Sequence, residues 1–286
     1  MTEMSGGRLH TTMVAGARLR YLAQGEGETL LLLHGYPQNH SCWRAQISAL
    51  AATRRVIAPD WFGWGASDRP PGADCEYNSE VALIPALLDA LELDRVDVAG
   101  HDYGGYLAVG FAVAHPDRLR RLAILNSRAH RTFPAPYYLL FAALGAQARQ
   151  PALRRLLMSA PLGKLHRRAM QRYVRRDAFD TAMLDDYVGW MDTRSGRERY
   201  ADYFAGYSVR PQPQLADLSV IDCPAAIIWG DRDTACPFTI AQDLARRLPD
   251  ATLTRIHGAD HYVMEERPAE VTDALLTWLQ RPYRRH

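Results

Sequence analysis

The stretch Val98-Ala99-Gly100-His101-Asp102-Tyr103-Gly104-Gly105 decides the fold. It follows a β-prone run at residues 95–98 and precedes residues 106–114, which have the composition of a helix. The glycines therefore lie at a corner between a strand and a helix, where larger side chains would clash. The pattern Gly-x-Asp-x-Gly is a nucleophile elbow that carries aspartate where serine is more common. The start of the helix would place backbone N–H groups and positive dipole character beside the Asp102 carboxylate.

Length and composition restrict the class of protein. The chain has 286 residues, enough to bury a full core as one large domain or as a domain with an insertion. Its 48% hydrophobic and 23% charged residues are ordinary for a globular protein in water. The net charge of +2 is too small to indicate binding to nucleic acid or to an anionic membrane. The four cysteines have no metal-binding or redox spacing, which predicts free thiols and a cytoplasmic protein.

The sequence contains no segment typical of export or membrane insertion. Residues 1–10 have no apolar run, and no stretch reaches the roughly 20 apolar residues of a membrane span. We therefore expect a small-molecule substrate as the partner and neither nucleic acid nor a membrane, with a homodimer left open. No metal and no other cofactor is expected.

Predicted strands and helices alternate along much of the chain. Residues 29–33 form an unbroken apolar run, typical of a strand covered on both faces. Further strands are predicted at residues 8–13, 17–23, 55–58, 121–125, 225–229 and 251–256, and helices at residues 43–51, 78–91, 238–248 and 268–279. This order predicts an α/β fold with a mostly parallel central sheet and helices on both faces. Ligands of such sheets bind beyond the carboxyl ends of the strands, where His34, Asp102 and Asn126 stand.

The alternation stops between residues 128 and 216. This segment contains helix-like pieces interrupted by prolines, shows no clear strand, and is rich in arginine and tyrosine. We interpret it as an inserted helical lid over the strand ends. The predicted organisation is a core of residues 1–127 and 217–286 with a helical cap (lid) domain of residues 128–216.

Three ionisable side chains follow three predicted strands in the order Asp102, Asp233, His261. This is the order nucleophile, acid, histidine of the α/β-hydrolases, and nearly the whole chain resembles that family. The matching motifs are His34-Gly35-Tyr36-Pro37 for the HGxP oxyanion motif, Gly100 to Gly104 for the aspartate elbow, Trp229-Gly230-Asp231-Arg232-Asp233 for the WGxxD acid loop, and His261 with Glu266-Arg267-Pro268 for the histidine loop. The resemblance implies the α/β-hydrolase fold. The aspartate elbow is specific to the branch of epoxide hydrolases, haloalkane dehalogenases and haloacetate dehalogenases.

The resemblance also implies the roles of the site residues. Asp102 would attack a saturated carbon and form an ester, because a carboxylate needs no proton removed first. His261, oriented by Asp233, would then activate the water that hydrolyses the ester. The backbone N–H groups of Tyr36 and Tyr103 would form the oxyanion hole.

Neighbouring residues offer alternatives to two of these assignments. Asp231 is the rival of Asp233, and His257 is the rival of His261; the spacing of the family favours Asp233 and His261. Some dehalogenases carry the acid after the preceding strand, where this chain has Asn126, which cannot hold that charge.

Tyrosines in the predicted lid favour the epoxide hydrolases. Residues 201–206 and 136–141 resemble the two stretches that carry the tyrosines of those enzymes, which implies Tyr203 and Tyr138, with Tyr137 as the alternative to Tyr138. A phenol can assist epoxide opening because it remains protonated near neutral pH. The residues expected along the substrate pocket are His34, Pro37, Tyr137 and Trp190.

The dehalogenases remain the alternative. Haloalkane dehalogenases usually have tryptophan directly after the nucleophile, and haloacetate dehalogenases have arginine there and again four residues later. This chain has Tyr103 and Leu107 at these positions. The sequence therefore predicts an epoxide hydrolase first and a dehalogenase with the same triad second. A ligand-binding or altered biosynthetic member of the fold is the third interpretation.

Overall fold

The computed structural model describes residues 7–69, 73–128, 135–174, 178–207 and 212–283, with only the backbone for residues 135–138. Within these ranges there are eight strands and eleven helices. The strands are β1 (Arg8–Val14), β2 (Ala17–Gln24), β3 (Thr29–Leu33), β4 (Arg55–Pro59), β5 (Val96–His101), β6 (Leu119–Leu125), β7 (Ala225–Gly230) and β8 (Ala251–Ile256). The helices are α1 (Arg44–Leu50), α2 (Tyr77–Ala90), α3 (Tyr103–Ala114), α4 (Ala135–Arg149), α5 (Pro151–Ser159), α6 (Leu162–Met170), α7 (Thr181–Val188), α8 (Arg194–Gly206), α9 (Phe238–Arg247), α10 (Val263–Glu266) and α11 (Pro268–Leu279).

The eight strands form one sheet in the order β1-β2-β4-β3-β5-β6-β7-β8. Strand β2 runs antiparallel to both of its neighbours, and all pairs from β4 to β8 are parallel. The predicted α/β fold with a mostly parallel sheet is confirmed. Because the strands are parallel, the chain leaves β3, β5, β6 and β7 at the same edge of the sheet.

The central strands lie in the core. All five residues of β3 are buried, as its continuous apolar sequence predicts for a strand covered on both faces. Helix α3 is buried from Tyr103 to Ala112, which fits a helix that is apolar all round and packs against β5 and β6. The strand before the corner and the helix after it are therefore both buried in the core.

The helices α4 to α8 lie between β6 and β7 in the chain, where helices and no strand were predicted. In the described part of that segment there is no strand. Helix α7 is held to the loop and helix after β3 by polar contacts: Asn39 Nδ2 donates to Asp186 Oδ2 at 3.0 Å, and Arg44 donates to the hydroxyl of Tyr187 at 2.9 Å. The Tyr187 hydroxyl in turn donates to the buried carboxylate of Glu265.

Two further expectations concern the state of the cysteines and the presence of membrane-spanning helices. All four cysteines, Cys42, Cys75, Cys223 and Cys236, are free thiols as predicted. In the described part of the chain, no helix combines the length and the apolar character that crossing a bilayer requires.

Candidate active site

Asp102 occupies the corner between β5 and α3. Its backbone has φ +46° and ψ −115°, a strained conformation for a residue with a side chain. The neighbouring backbone fixes it: the Asp102 N–H donates to Leu125 O at 3.1 Å, and Ser127 Oγ donates to Asp102 O at 2.6 Å. The corner therefore holds the carboxylate at the carboxyl edge of the sheet.

Glycines make this corner sterically feasible. A Cβ on Gly100 would lie 2.4 Å from Gly104 O, and a Cβ on Gly104 would lie 2.4 Å from Leu33 O. Both distances are far below a carbon–oxygen contact, so only glycine allows α3 to pack this closely against β3 and β5. The Gly-x-Asp-x-Gly pattern thus has a direct mechanical reason.

The HGxP motif faces the elbow. The backbone N–H of Tyr36 donates to Asp102 Oδ2 at 2.9 Å. Tyr103 is the first residue of α3, so its N–H belongs to the helical first turn, whose donors have no acceptor in a preceding turn. Of the two residues predicted for the oxyanion hole, Tyr36 thus contacts the Asp102 carboxylate through its N–H, and Tyr103 directly follows Asp102 at the start of α3.

His261 lies between two carboxylates. Its Nδ1 is 3.0 Å from Asp233 Oδ2, and its Nε2 is 3.7 Å from Asp102 Oδ1. The loop after β8 holds its backbone, since the His261 N–H donates to Asp260 Oδ1 at 2.9 Å. The structure thus brings together the three side chains that the sequence placed at separate strand ends.

Asp233 is fixed by a set of donors that sequence reasoning missed. Its Oδ1 accepts from the N–H groups of Ala235 and Cys236 at 2.7 Å each. Its Oδ2 accepts from Asn126 Nδ2 at 2.7 Å, while Asn126 Oδ1 accepts from the Gly230 N–H at 3.1 Å. The sequence predicts Asn126 at the carboxyl edge of the sheet and excludes it as the acid, whereas the structure shows that it positions the acid on the neighbouring strand. The sequence signal for this role was the position of Asn126 directly after β6.

The two flanking carboxylates determine the charge of His261. Burial alone would lower its pKa, but the charge and hydrogen bond of Asp233 and the charge of Asp102 outweigh burial and raise the pKa to about 9. His101, behind the elbow, behaves oppositely: burial lowers its pKa to about 3. Its Nε2 contacts His261 O at 2.9 Å, so neutral His101 holds the backbone of the histidine loop.

Asp102 lines a cavity that is partly open to solvent. Its walls are largely aromatic, and they contain one carboxylate and one guanidinium. The residues that line it are Tyr36, Asp102, Tyr103, Arg128, Phe141, Tyr203, Phe204 and Tyr207. Four of these, Arg128, Phe141, Phe204 and Tyr207, were not predicted as site residues. Arg128 lies three residues past the end of β6, a position that the rule of carboxyl-end binding could have indicated.

Four of the lining residues are tyrosines, Tyr36, Tyr103, Tyr203 and Tyr207. Tyr203, on α8, is only 3% exposed, and its ring packs edge-on against that of Tyr103 with the ring centroids 6.1 Å apart. Burial raises the pKa of Tyr203 well above its usual value, so the phenol keeps its proton. The Tyr36 hydroxyl donates to His166 Nε2 and lies 3.2 Å from the hydroxyl of Tyr200. That direction follows because His166 Nδ1 contacts Leu162 O, a pure acceptor, at 2.7 Å.

The remaining predicted pocket residues lie elsewhere. His34 accepts from the Trp61 N–H at 2.8 Å through Nε2, and its Nδ1 donates to Gly35 O. Trp190 packs against Trp64 and beneath the guanidinium of Arg199, whose carbon is 3.9 Å from the ring centroid. Neither these two residues nor Pro37 are among the residues that line the cavity. The backbone of Tyr137 and Tyr138 is in α4, and their side chains lie outside the described residues.

The two rival residues form a separate cluster. Asp231 accepts from the Gly258 N–H at 2.8 Å and from Arg255 Nε at 3.0 Å. His257 Nδ1 is 3.2 Å from the same carboxylate, and its side chain is 76% exposed. The preference for Asp233 and His261 therefore agrees with the geometry around Asp102.

Asp233, Cys236 and His261 are also the one group of described residues with metal-type donor atoms close together, all within 4.8 Å. Both Asp233 oxygens already accept hydrogen bonds, and burial raises the pKa of the Cys236 thiol well above its usual value. This donor chemistry fits a hydrogen-bonded acid and base better than a metal centre, because a thiol binds metals as its thiolate.

Comparison with known proteins identifies the family. Residues 28–268 match the model of the alpha/beta hydrolase fold. The chain belongs to the alpha/beta hydrolase family. It is 28% identical to the soluble epoxide hydrolase of Corynebacterium sp. (strain C12), over 93% of this chain and 95% of that protein. It is also 28% identical to haloalkane dehalogenase 2 of Mycobacterium tuberculosis (strain ATCC 25618 / H37Rv), over 91% of this chain and 90% of the relative.

A solved structure gives the same result at the level of the fold. The epoxide hydrolase CorEH without ligand superimposes with a TM-score of 0.79 at 26% identity, and the match covers 96% of this chain and 98% of that one. The hydrolase family is thus established for this chain, while the named activities of its relatives differ at equal identity.

Proposed function

We propose that this hydrolase opens an epoxide to a vicinal diol through a covalent ester on Asp102. The observation that carries the proposal is the aspartate at the strained elbow, with its carboxylate between the Tyr36 N–H and His261. The phenol of Tyr203, which lines the same cavity as Asp102, supplies the donor that epoxide opening needs. The likeness to the soluble epoxide hydrolase of Corynebacterium supports the same reaction.

In the first step, Asp102 forms a C–O bond to an epoxide carbon while the C–O bond of the ring breaks. The electron pair of that bond moves to the ring oxygen, which takes a proton from Tyr203. The product is an alkyl ester of Asp102 that carries a free hydroxyl group. The second phenol is assigned to Tyr138, with Tyr137 as the alternative; the side chains of both lie outside the described residues.

In the second step, His261 removes a proton from water, and the water oxygen attacks the ester carbonyl of Asp102. The N–H groups of Tyr36 and Tyr103 receive the oxyanion. Collapse breaks the bond to the alkoxy group, which leaves as the second diol hydroxyl with the proton from His261. Ionisation of the released Asp102 carboxyl group returns a proton to Tyr203, so water is the only reagent consumed.

The described helices α4 to α8 support the proposed cap. Helix α8 contributes Tyr203 and Phe204 to the cavity, and Tyr207 directly follows it. Phe141 of α4 stacks on Phe204 with ring centroids 5.8 Å apart. A cap built this way would keep water away from the epoxide during the first step, so that Asp102 is the nucleophile that attacks it.

Two assays on the purified protein test the reaction. We expect diol formation from an aryl epoxide and no halide release from haloalkanes or haloacetates. Halide release without diol formation would overturn the proposal and assign the same triad to dehalogenation.

Replacing Tyr203 by phenylalanine should slow formation of the ester by about 10²-fold, because a positioned acid contributes on that order. Single-turnover kinetics with acid quenching would measure this step. Tyr77→Phe is the matched control, since Tyr77 is also a buried tyrosine but donates to Tyr106 O outside the cavity. Equal rates for wild type and Tyr203→Phe would remove the phenol from the mechanism.

Hydrolysis of the ester should slow as the pH falls. His261 acts as a base only when neutral, and its pKa of about 9 in the free enzyme is raised partly by the Asp102 charge. Esterification removes that charge, so the pKa of His261 falls below about 9 when the base is needed. Mass spectrometry of quenched steady-state mixtures should show a larger ester fraction at pH 6 than at pH 8. A smaller fraction at pH 6 would contradict this assignment.

A further inference from the structure

Helices α4, α5 and α6 present leucines to solvent. Each of these helices has one buried and one exposed face, and five leucines on the exposed faces are between 41% and 67% exposed: Leu139, Leu140, Leu153, Leu156 and Leu165. The described ranges contain nine exposed large apolar side chains, so more than half of them lie on these three consecutive helices. Single exposed leucines are ordinary, whereas a group of them marks a surface that binds a partner. We call the exposed faces of α4, α5 and α6 the leucine face.

The segment that forms the leucine face carries only positive charge. Residues 135–174 contain seven arginine and lysine side chains and no aspartate or glutamate, although the whole chain has 32 acidic residues against 34 basic ones. Two of the seven are paired with acids of neighbouring helices: Arg154 lies 2.6 Å from Asp202, and Arg167 lies 2.6 Å from Asp185. The net charge of +2, on which the expectation of no membrane partner rests, averages out this local excess.

The remaining cations include several that share the exposed faces with the leucines. In α6, Lys164, Leu165 and Arg168 are exposed within little more than one turn, and in α5 Arg155 is exposed beside Leu156. The buried residues of both helices lie on the other side. Within the described ranges, no ion pair involves Arg155, Lys164 or Arg168. The leucine face thus combines apolar area with positive charge that no acidic side chain compensates there.

The positive charge selects among the partners that could bury these leucines. A symmetric dimer through the leucine face would bring two surfaces of like charge together. A nucleic acid would pair with the cations, but its phosphates and sugars offer no apolar surface to the leucines. An anionic bilayer serves both, because the acyl region takes up leucines while the lipid phosphates attract lysine and arginine.

We propose that the leucine face binds the surface of a bilayer that contains anionic phospholipid. Leu153 and Leu156 would enter the boundary between headgroups and acyl chains, and Lys164 and Arg168 would lie among the headgroups. The inference goes beyond the proposed reaction, because none of these four side chains lines the cavity. Helix α4 carries exposed leucines and also Phe141 of the cavity wall, so binding would bring the cavity close to apolar compounds dissolved in the bilayer.

Co-sedimentation of the purified full chain with sucrose-loaded vesicles tests the inference. Vesicles of phosphatidylcholine with about 30% phosphatidylglycerol should bind the protein at least about 10-fold more strongly than pure phosphatidylcholine, because several cations act together at an anionic surface. Raising the NaCl concentration from about 0.05 M to about 0.5 M should weaken this binding, because salt screens exposed charges. Equal binding to both vesicles, or binding to neither, would overturn the inference.

Two double variants separate the apolar contribution from the charged one. Leu153→Ser/Leu156→Ser and Lys164→Glu/Arg168→Glu should each lower the partition coefficient on the anionic vesicles by about 10-fold or more. All four side chains are exposed, so we expect both variants to keep the fold, which circular dichroism checks. Binding of either variant as strong as that of wild type would exclude the leucine face as the docking surface.

Matched controls make the same chemical changes elsewhere. Leu9→Ser/Met13→Ser removes two exposed apolar side chains of β1, and Arg8→Glu/Arg246→Glu changes the net charge by the same amount outside α4 to α6. Each control should bind within about 3-fold of wild type. Equal losses in the controls and in the variants of the leucine face would assign binding to the charge of the whole chain and overturn the inference.

Sedimentation velocity distinguishes a bilayer from a second copy of the chain. We expect wild type and Leu153→Ser/Leu156→Ser to have the same oligomeric state. A dimer that this variant dissociates, together with no binding to vesicles, would assign the leucine face to self-association instead. Vesicle binding requires no turnover, so a failure to form diol would count against the proposed reaction and not against this surface.

Discussion

Replacing Asp102 by alanine is expected to abolish diol formation, with a loss of at least about 10⁴-fold in kcat, as for other covalent nucleophiles. The reason is geometric as well as chemical. Among the residues that the structure describes, no other carboxylate lines the cavity, and the second carboxylate of the triad, Asp233, is turned toward His261 Nδ1 and held by Asn126. No neighbouring described group can therefore take over the attack.

Product analysis and intact-protein mass spectrometry check this prediction. Wild type mixed with a slow epoxide and quenched in acid should gain the mass of one substrate, and Asp102→Ala should gain none. Asp231→Asn is the matched control: it also removes an aspartate carboxylate, but Asp231 pairs with Arg255 away from the cavity. A variant without Asp102 that still forms diol at more than about 1% of the wild-type rate would refute the covalent mechanism.

The sequence predicts the sheet and the elbow well, because both depend on local patterns. The apolar run Thr29–Leu33 is typical of a strand buried on both faces, and the structure places it as such a strand next to β5. The glycines of the elbow indicate that backbone segments approach each other closely there, because a Cβ at these positions would clash. Helix α2 begins at Tyr77, one residue before the predicted start, and Glu76 is its N-cap although Asn78 and Ser79 are better capping residues. Burial of Tyr77 against α3 outweighs the local capping preference there.

The site is less predictable where it depends on contacts between distant segments. Tyr36 was predicted for its backbone N–H, but its ring also lines the cavity and its hydroxyl contacts His166, which lies far along the chain. The role of Asn126 requires knowing that β6 and β7 are neighbours, so that its amide reaches Asp233. Arg128 is likewise recognised as a cavity residue only from the packed structure, in which Tyr207, directly after α8, lies beside it. Sequence order gives the triad because each member follows its own strand, whereas the cavity wall is a property of the packed helices.

Replacing His261 by glutamine is expected to trap the enzyme as its ester. Asp102 needs no base for its attack, so one equivalent of substrate should react while overall turnover falls by about 10⁴-fold. Glutamine is close in size to histidine and can still donate toward Asp233, so the loop after β8 keeps its packing. The expected mass change is the opposite of that for Asp102→Ala: His261→Gln should gain the mass of one substrate and keep it, whereas Asp102→Ala should gain none.

His257→Gln separates this effect from the loss of any histidine on the same loop. His257 contacts Asp231 at the surface and is mostly exposed, so its replacement should leave both steps unchanged. Hydroxylamine should release the trapped adduct from His261→Gln, because an ester is cleaved by this nucleophile and an ether is not. If His261→Gln turns over without accumulating ester, a different group activates the water. If it forms no adduct at all, His261 acts already in the first step. Its imidazolium lies beside Asp102 and would then donate a proton to the opening epoxide.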